Sequence, residues 1–343
     1  MVMMSYENDL GLCSENDYYS SICRNQQELI KTIKLFKKRN DKTVIVHYKL
    51  TGFFPFSTLR KLSSQIKNRT DYIDTIFAVK NIFRGNKIID GTILKHFDAS
   101  ERKYLLNGIE KIREAMENVE KSDLQVLVDA EYTDMNEGIN AITMAMIMLY
   151  NVEVPTVGLT FQCYLKNSLN SIMQNLNIIE EFNLCWNCKF VRGAYMLSER
   201  QYSDLNKVPN PVFDSYEETN SNYDKIVEMI FNYHFSKKYS ILLATHNINS
   251  IRKACKLLLQ TNRHTGSFKF GQLMGMSDHI SLQLGSLNFP VYKSSPYGNV
   301  EDTIPYLVRR FYENSSIFGN VKNDVVFIRK EFFRRLNPLS LKN

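Results

Sequence analysis

Residues 188–195 read Cys188-Lys189-Phe190-Val191-Arg192-Gly193-Ala194-Tyr195. A short apolar run closed by an arginine, a glycine and an aromatic residue predicts a strand over Cys188–Ala194 with a polar tip. Alternation places Lys189, Val191 and Gly193 on one face, and Gly193 lets a flat group approach the backbone closely. Runs of the same kind flank it at Thr43–Leu50, Leu124–Ala130, Val157–Cys163, Ile241–Thr245, Phe268–Leu273 and Pro290–Lys293. Helical patterns fall between them at Ala141–Tyr150, Asn167–Asn175, Tyr223–Phe231 and Ser250–Leu259. This alternation predicts an α/β fold with a parallel sheet. Polar residues cluster where the strands stop: Lys49, Asp129 with Glu131, Gln162, Arg192 with Tyr195, His246 with Asn247, and Gln272. Reactive groups at successive strand ends are the layout of a (β/α)8 barrel of the TIM type. Seven strands can be counted in the sequence, one short of closure.

Two regions break the rhythm. Residues 68–101 are mixed and weakly periodic, and are expected as an insertion. Glu199–Asn222 is polar and is expected as a long loop near the site. A single domain over 1–343 is expected, with a last helix near 324–336. Residues 302–316 form a helix-sized stretch with two faces. Ile304, Leu307, Val308 and Phe311 recur at i, i+3, i+4 and i+7, the pattern of a buried stripe. Tyr306, Arg309, Arg310 and Glu313 share the other side, and Pro305 is expected early in the helix, where its missing N–H costs little. Two guanidinium forks beside a tyrosine suit a carboxylate ligand. A solvated face with an Arg309–Glu313 pair is the alternative.

The chain has 343 residues, 44% hydrophobic and 23% charged, as in a water-soluble domain with a substantial core. A formal charge of +7, scattered in sign and without a nucleic-acid motif, gives no reason to expect DNA or RNA as partner. The six cysteines are too few and too irregular for a disulfide scaffold, and imply a reducing compartment. Cys185-Trp186-Asn187-Cys188 is a lone CxxC with no second pair, so no metal site is expected. The longest apolar run, Ala141–Tyr150, is about ten residues, half of what a spanning helix needs. The acidic start, Met1 to Asp9, resembles neither a signal peptide nor an organelle presequence. No GxGxxG occurs, and Gly266 and Gly271 are followed by Gln272-Leu273 where a phosphate-binding loop needs Lys-Ser/Thr.

Several readings stay open on residues alone. Lys49 could form a Schiff base, set a charge beside a bound carboxylate, or simply snorkel from a barrel rim. Asp129 could serve a ligand or a structural ion pair. Thr245-His246-Asn247 could be a satisfied core trio or a ligand contact. Phe327, Ile328, Phe332 and Phe333 alternate with Arg329, Lys330, Arg334 and Arg335, which suits either a helix packed on the barrel or a peripheral membrane contact.

Taken in order, eight motifs resemble the proline dehydrogenase family in its eukaryotic branch, from about Tyr6 onward. They are Lys49-Leu50-Thr51, Val128-Asp129-Ala130-Glu131, Gln162 through Lys166, and Lys189 through Tyr195 followed by Glu199-Arg200. Thr245-His246-Asn247, Phe270 through Met276, Pro296-Tyr297-Gly298 and Pro305 through Arg310 complete the set. The resemblance implies an FAD-dependent oxidoreductase that takes a hydride from a cyclic imino acid and passes electrons to a quinone. It implies that Arg309 and Arg310 clamp the substrate carboxylate, with Glu313 fixing their fork and Lys49 adding charge. Tyr195 and Tyr306 would shape the ring pocket, and Asp129 and Arg192 would join the catalytic polar network. Ala130, Gln162, Lys189, Val191, Arg192, Gly193, Ala194, Tyr195, Thr245, His246 and Gln272 would hold the flavin. A mitochondrial location, on the matrix side of the inner membrane, is also implied.

The sequence departs from the family in two ways. The family's first barrel strand lies upstream of the first strand identified above, so a barrel lacking that strand is expected. Ser294 stands two residues before Pro296, where proline-specific members carry a tyrosine and hydroxyproline dehydrogenases a serine. A hydroxyl pressed on an aromatic ring stays unpaired, at about 1–3 kcal/mol, whereas serine offers both donor and acceptor. Preference for trans-4-hydroxy-L-proline over L-proline follows as the expectation. L-proline oxidation, a Lys49 Schiff-base enzyme and a truncated, non-catalytic barrel are the alternatives.

Overall fold

The computed structural model describes residues 1–4, 15–37, 44–86, 96–119, 124–261, 265–298, 300–313 and 318–336. Its first half runs β1 (Val2–Met4), α1 (Glu15–Lys37), β2 (Ile45–Tyr48), α2 (Phe56–Gln65), α3 (Arg69–Phe83), α4 (Ala99–Met116), β3 (Gln125–Val128) and α5 (Thr133–Tyr150). Next come β4 (Val157–Gln162), α6 (Ser168–Glu181), β5 (Trp186–Val191), α7 (Met196–Asn206), α8 (Tyr216–Asn232) and β6 (Tyr239–Ala244). The chain continues through α9 (Ile248–Thr261), β7 (Phe268–Leu273), α10 (Asp278–Ser286), β8 (Val291–Tyr297), α11 (Val300–Glu313) and α12 (Phe318–Leu336).

The eight strands are parallel, neighbour each other in chain order and close into a barrel. The strand expected to be missing is present: β1 joins β2 through Val2↔Val46 and β8 through Val2↔Ser295 and Met3↔Pro296. Three residues are too short for a periodicity to register, and so the sequence yields only seven strands. With β1 in place the barrel has no open edge.

The two-residue strand period divides the side chains between two environments. Val46, Tyr48, Val126, Val128, Leu159, Phe161, Phe190, Ile241, Leu243, Phe268 and Phe270 join the core between strands and helices. Their sequence neighbours face inward, where Ile45, Leu127 and Leu242 form a small apolar plug with Met1 and Tyr292. On one side of this plug Lys269 donates to Gln125 Oε1 at 2.7 Å and Ser240 Oγ at 2.8 Å. On the other side, toward the strand C-termini, lie the groups described below.

Residues 68–101, expected as an insertion, contain α3, whose Tyr72, Thr75, Ile76, Val79 and Phe83 are buried, and the start of α4, fixed by a reciprocal Asp98/Glu101 cap. Three expectations about neighbouring elements need correction. Glu199–Asn222 is largely helical, with Ser215 and Glu218 capping α8 in the same way. The strand placed at Cys188–Ala194 begins and ends earlier, which puts Arg192–Tyr195 in the loop after β5. The strand placed at Pro290–Lys293 continues to Tyr297, which puts Ser294 inside the barrel wall.

The 302–316 stretch is helical as α11, but its apolar stripe is not buried: Ile304, Leu307 and Val308 are 55%, 48% and 47% exposed. Periodicity reports that a face is apolar, not what covers it. Pro305 lies inside α11, beyond the first turn. The side chains of Tyr306, Arg309, Arg310, Phe311 and Glu313 lie outside the described residues.

Helices α2 and α5 approach closely enough to require a glycine. A Cβ on Gly138 would stand 2.9 Å from the Leu59 carbonyl oxygen and 3.0 Å from Ser63 Oγ, which accepts the Gly138 N–H at 2.8 Å. Gly138→Ala is therefore expected to destabilise the barrel by about 1–3 kcal/mol, the usual cost of overpacking. A urea midpoint equal to that of the parent chain would contradict this close fit.

Candidate active site

The inward face of β2 carries Ile45 and His47, with Lys49 just past its end, and that of β3 carries Leu127, with Asp129 just past its end. The alternation that builds the apolar plug therefore sets a polar layer directly above it. A continuous line of buried groups crosses this layer. Lys189 on β5 is ion-paired with Asp129 Oδ1, and Asp129 Oδ2 meets His47 Nδ1 at 3.2 Å. His47 Nε2 meets Ser294 Oγ, on β8, at 3.0 Å. Burial raises the Asp129 carboxyl, but Lys189 and then His47 outweigh it and hold the group well below the usual carboxylate range. Burial lowers the His47 pKa; Asp129 opposes this and Lys189 reinforces it. The line thus consists of an ammonium, a carboxylate, a neutral imidazole and a hydroxyl.

At the strand ends Lys49 Nζ donates to Tyr195 OH at 2.8 Å and lies 5.4 Å from the centre of the same ring. Tyr195 also packs on Tyr132, with ring centres 4.6 Å apart. Glu131 is clamped by Thr51, whose backbone N–H and hydroxyl donate to its two oxygens at 3.2 and 2.8 Å. Gln162 donates to the Glu131 carbonyl and to Tyr164 OH, both at 2.8 Å, and accepts from Asn136 at 2.6 Å. These bonds tie the tips of β2, β3 and β4 into one rim.

Burial pushes the Glu131 carboxyl up to about 7, with Lys49 and Thr51 pulling it back. Its folded pKa exceeds the ordinary 4.5, so its contribution to stability is complete below 4.5 and is lost as pH rises through 7. Glu131→Gln keeps an acceptor for Thr51 and is expected to flatten that decline. Thermal unfolding between pH 4.5 and 7 would show it; an unchanged slope would contradict the assignment.

A second set of groups follows β5, β6 and β7. Arg192 donates to Ser250 Oγ at 2.7 Å and covers the Tyr223 ring at 4.9 Å, so it faces α8 and α9 rather than Asp129. His246 Nε2 accepts the Leu273 N–H at 3.3 Å, which leaves the ring proton on Nδ1; burial lowers this histidine to about 4, so it is neutral. Gln272 Oε1 accepts from Ser281. Arg192 Nη2, His246 Nδ1 and Gln272 Nε2 are buried donors without a partner among the described residues. Three orphaned donors at consecutive strand ends call for an acceptor-rich ligand. Gly193 is exposed, and a Cβ there would meet only Met196, so its outer side is open to a flat group.

The structure therefore brings together Lys49 with Tyr195, Asp129 with Lys189, and Ser294 with both through His47. It keeps Thr245 in a local turn, where its hydroxyl accepts the Asn247 N–H at 3.0 Å. Ala130 and Val191 are partly buried beside this rim. Sequence reasoning missed His47, although its place two residues before Lys49 in an alternating strand was a usable signal. It also missed Asn136, which no spacing rule singles out, and left Thr51 and Tyr164 as motif residues without a role.

A closed parallel barrel with a buried ion pair, a neutral histidine and unsatisfied donors at its strand C-termini defines a (β/α)8 barrel with a candidate ligand site at its C-terminal mouth. Residues 10–323 match the family model described as Proline dehydrogenase, and the chain belongs to that family. It is 30% identical over 343 residues to Hydroxyproline dehydrogenase of Xenopus laevis, covering 98% of this chain and 72% of that one. Hydroxyproline dehydrogenase of Homo sapiens is 31% identical over 247 residues, covering 70% of this chain and 54% of that protein. Proline dehydrogenase 1, mitochondrial, of Homo sapiens is 30% identical over 252 residues, with coverage of 73% and 42%. The chain thus spans about half the length of these human relatives. Among solved structures, proline utilization A (PutA) from Bdellovibrio bacteriovorus inactivated by N-propargylglycine superposes with a TM-score of 0.68 at 18% identity. That match covers 91% of this chain and 29% of PutA, and it shows the barrel fold.

Proposed function

We propose that this chain is a mitochondrial, flavin-dependent oxidoreductase that oxidises cyclic imino acids, with trans-4-hydroxy-L-proline preferred over L-proline. Its product is the corresponding 1-pyrroline-3-hydroxy-5-carboxylate, and a quinone receives the electrons. The three orphaned donors of Arg192, His246 and Gln272, with the open side of Gly193, fit the acceptor-rich edges and flat ring of FAD. When bound, FAD supplies the hydride acceptor. Gln162, Lys189, Val191, Ala194, Tyr195, Ala130 and Thr245 complete that wall in this reading.

The chain's own groups position the imino acid. Lys49, held against Tyr195, adds positive charge for the carboxylate, alongside Arg309 and Arg310 with Glu313 as their partner. Tyr195 and Tyr306 flank the ring. The observation that carries the substrate reading is Ser294, a buried hydroxyl in the barrel wall joined through His47 to Asp129. The Hydroxyproline dehydrogenase relatives favour this substrate, and Proline dehydrogenase 1 supports L-proline as the second.

Steady-state turnover with a soluble quinone analogue tests the proposal. A higher kcat/KM for trans-4-hydroxy-L-proline supports it, and an equal or higher value for L-proline refutes the preference. A peripheral contact with anionic bilayers belongs to the same reading, since Phe332 and Phe333 on α12 are 59% and 66% exposed beside Arg334 and Arg335. Failure to co-sediment with anionic vesicles at low salt would remove that part.

A further inference from the structure

We infer that His47 is a specificity-positioning residue: its Nε2 accepts the hydrogen bond of the Ser294 hydroxyl and so leaves that oxygen as an acceptor for a hydroxyl on the substrate ring. This rests on the reading of Ser294 given above. Asp129 already holds the ammonium of Lys189, so a proton on His47 would leave a second buried cation with no anion of its own. The imidazole is therefore neutral. The Asp129 carboxylate only accepts, so the ring proton sits on Nδ1 and points at Oδ2. Nε2 is then an acceptor, and the hydroxyl facing it at 3.0 Å must be its donor.

Ser294 retains 6% exposure, and having donated its hydrogen it can offer a ligand only the acceptor lone pairs of its oxygen. A ring hydroxyl satisfies that acceptor by donating to it; a methylene cannot, and leaves a buried acceptor unpaired. Sites built around such a group discriminate strongly against the analogue that lacks it. If His47 were charged, Ser294 would receive a proton from Nε2 and turn its own outward, and the recognition would change sense. The ion pair Lys189–Asp129 thus sets the tautomer of His47, and His47 sets the polarity of Ser294. Neither His47 nor its neighbour Tyr48 belongs to the motifs that mark the family in this sequence.

The test is the ratio of kcat/KM for trans-4-hydroxy-L-proline to that for L-proline, measured in the full-length holoenzyme. His47→Leu removes the acceptor and is expected to lower the ratio about five- to tenfold, chiefly through KM for the hydroxylated substrate. His47→Gln, whose side-chain carbonyl can accept the serine proton, is expected to restore most of it. In a Ser294→Ala background, His47→Leu should change the ratio no further. A ratio unmoved by Ser294→Ala refutes the Ser294 reading itself. A ratio lowered by Ser294→Ala but unmoved by His47→Leu overturns the role of His47 alone. Equal losses for both substrates in His47→Leu and His47→Gln show a structural role and also overturn it. If His47→Leu does not fold, His47→Gln and His47→Asn decide the matter, because asparagine reaches Asp129 but not Ser294.

Discussion

Replacing Lys189 with methionine is expected to cost the folded protein about 3–5 kcal/mol, the penalty for leaving one member of a buried ion pair without its partner. The Asp129 carboxylate would then face only His47, and the imidazole would take up a proton to balance it. Stability should consequently acquire the opposite pH dependence at this site. In the parent protein the folded His47 pKa lies below the ordinary 6.5, so its contribution is present above 6.5 and is lost as pH falls below it. In Lys189→Met, with the opposing ammonium gone, the folded value is expected to move above the ordinary 6.5, so that the contribution would be present below 6.5 and lost as pH rises through the raised value. The other titrating groups, Glu131 among them, are common to both proteins. Urea midpoints of the two proteins at pH 6 and pH 8 therefore isolate the effect: the gap between them should widen at pH 8. A variant that loses less than about 1 kcal/mol, or a gap that narrows at pH 8, would show that Lys189 and Asp129 do not form the compensated pair described here.

The second large effect is expected at Ser294. Ser294→Tyr removes the donor to His47 Nε2 and presses an aromatic face toward the ring. The substrate hydroxyl then has no partner, at about 1–3 kcal/mol, so kcat/KM for trans-4-hydroxy-L-proline should fall about five- to 150-fold relative to L-proline. Bound flavin and the unfolding temperature serve as controls for the integrity of the barrel. An unchanged preference in a protein that keeps its flavin would remove Ser294 from the recognition of substrate.

Much of the barrel was legible because long apolar runs such as Val157–Cys163 and Ile241–Thr245 alternate with helical patterns. What the sequence hid has separate physical causes. β1 contributes only Val2–Met4, and strand periodicity needs more residues than that to register. Residues 68–101 lack a clean polar face because α3 is buried along Tyr72, Ile76, Val79 and Phe83 while its remaining surface is mixed. The stripe Ile304, Leu307 and Val308 has helical spacing, but spacing says nothing about a covering partner.

At the site, the strand-tip residues Lys49, Asp129 and Gln162 were visible from their positions. Their partners were not. The bond from Gln162 to Tyr164 OH is local, yet those from Thr51 to Glu131 and from Ser294 to His47 join residues far apart in the chain. Only closure of the barrel, which sets β8 two strands from β2 across β1, brings His47 and Ser294 to 3.0 Å. That closure also changes the meaning of Ser294. In the sequence it is a small residue at a position expected to contact the ring; in the fold it is the end of a polar line that begins at Lys189.

Every role proposed for the strand-end residues depends on this barrel binding a flavin and reducing it with a cyclic imino acid. The most direct measurement is the visible spectrum of the purified protein, titrated without oxygen with trans-4-hydroxy-L-proline and, separately, with L-proline. Bands of oxidised flavin that bleach with both compounds, at lower concentration for the hydroxylated one, are the predicted result. A folded barrel that neither carries nor takes up flavin, or a bound flavin that neither imino acid bleaches, would contradict it.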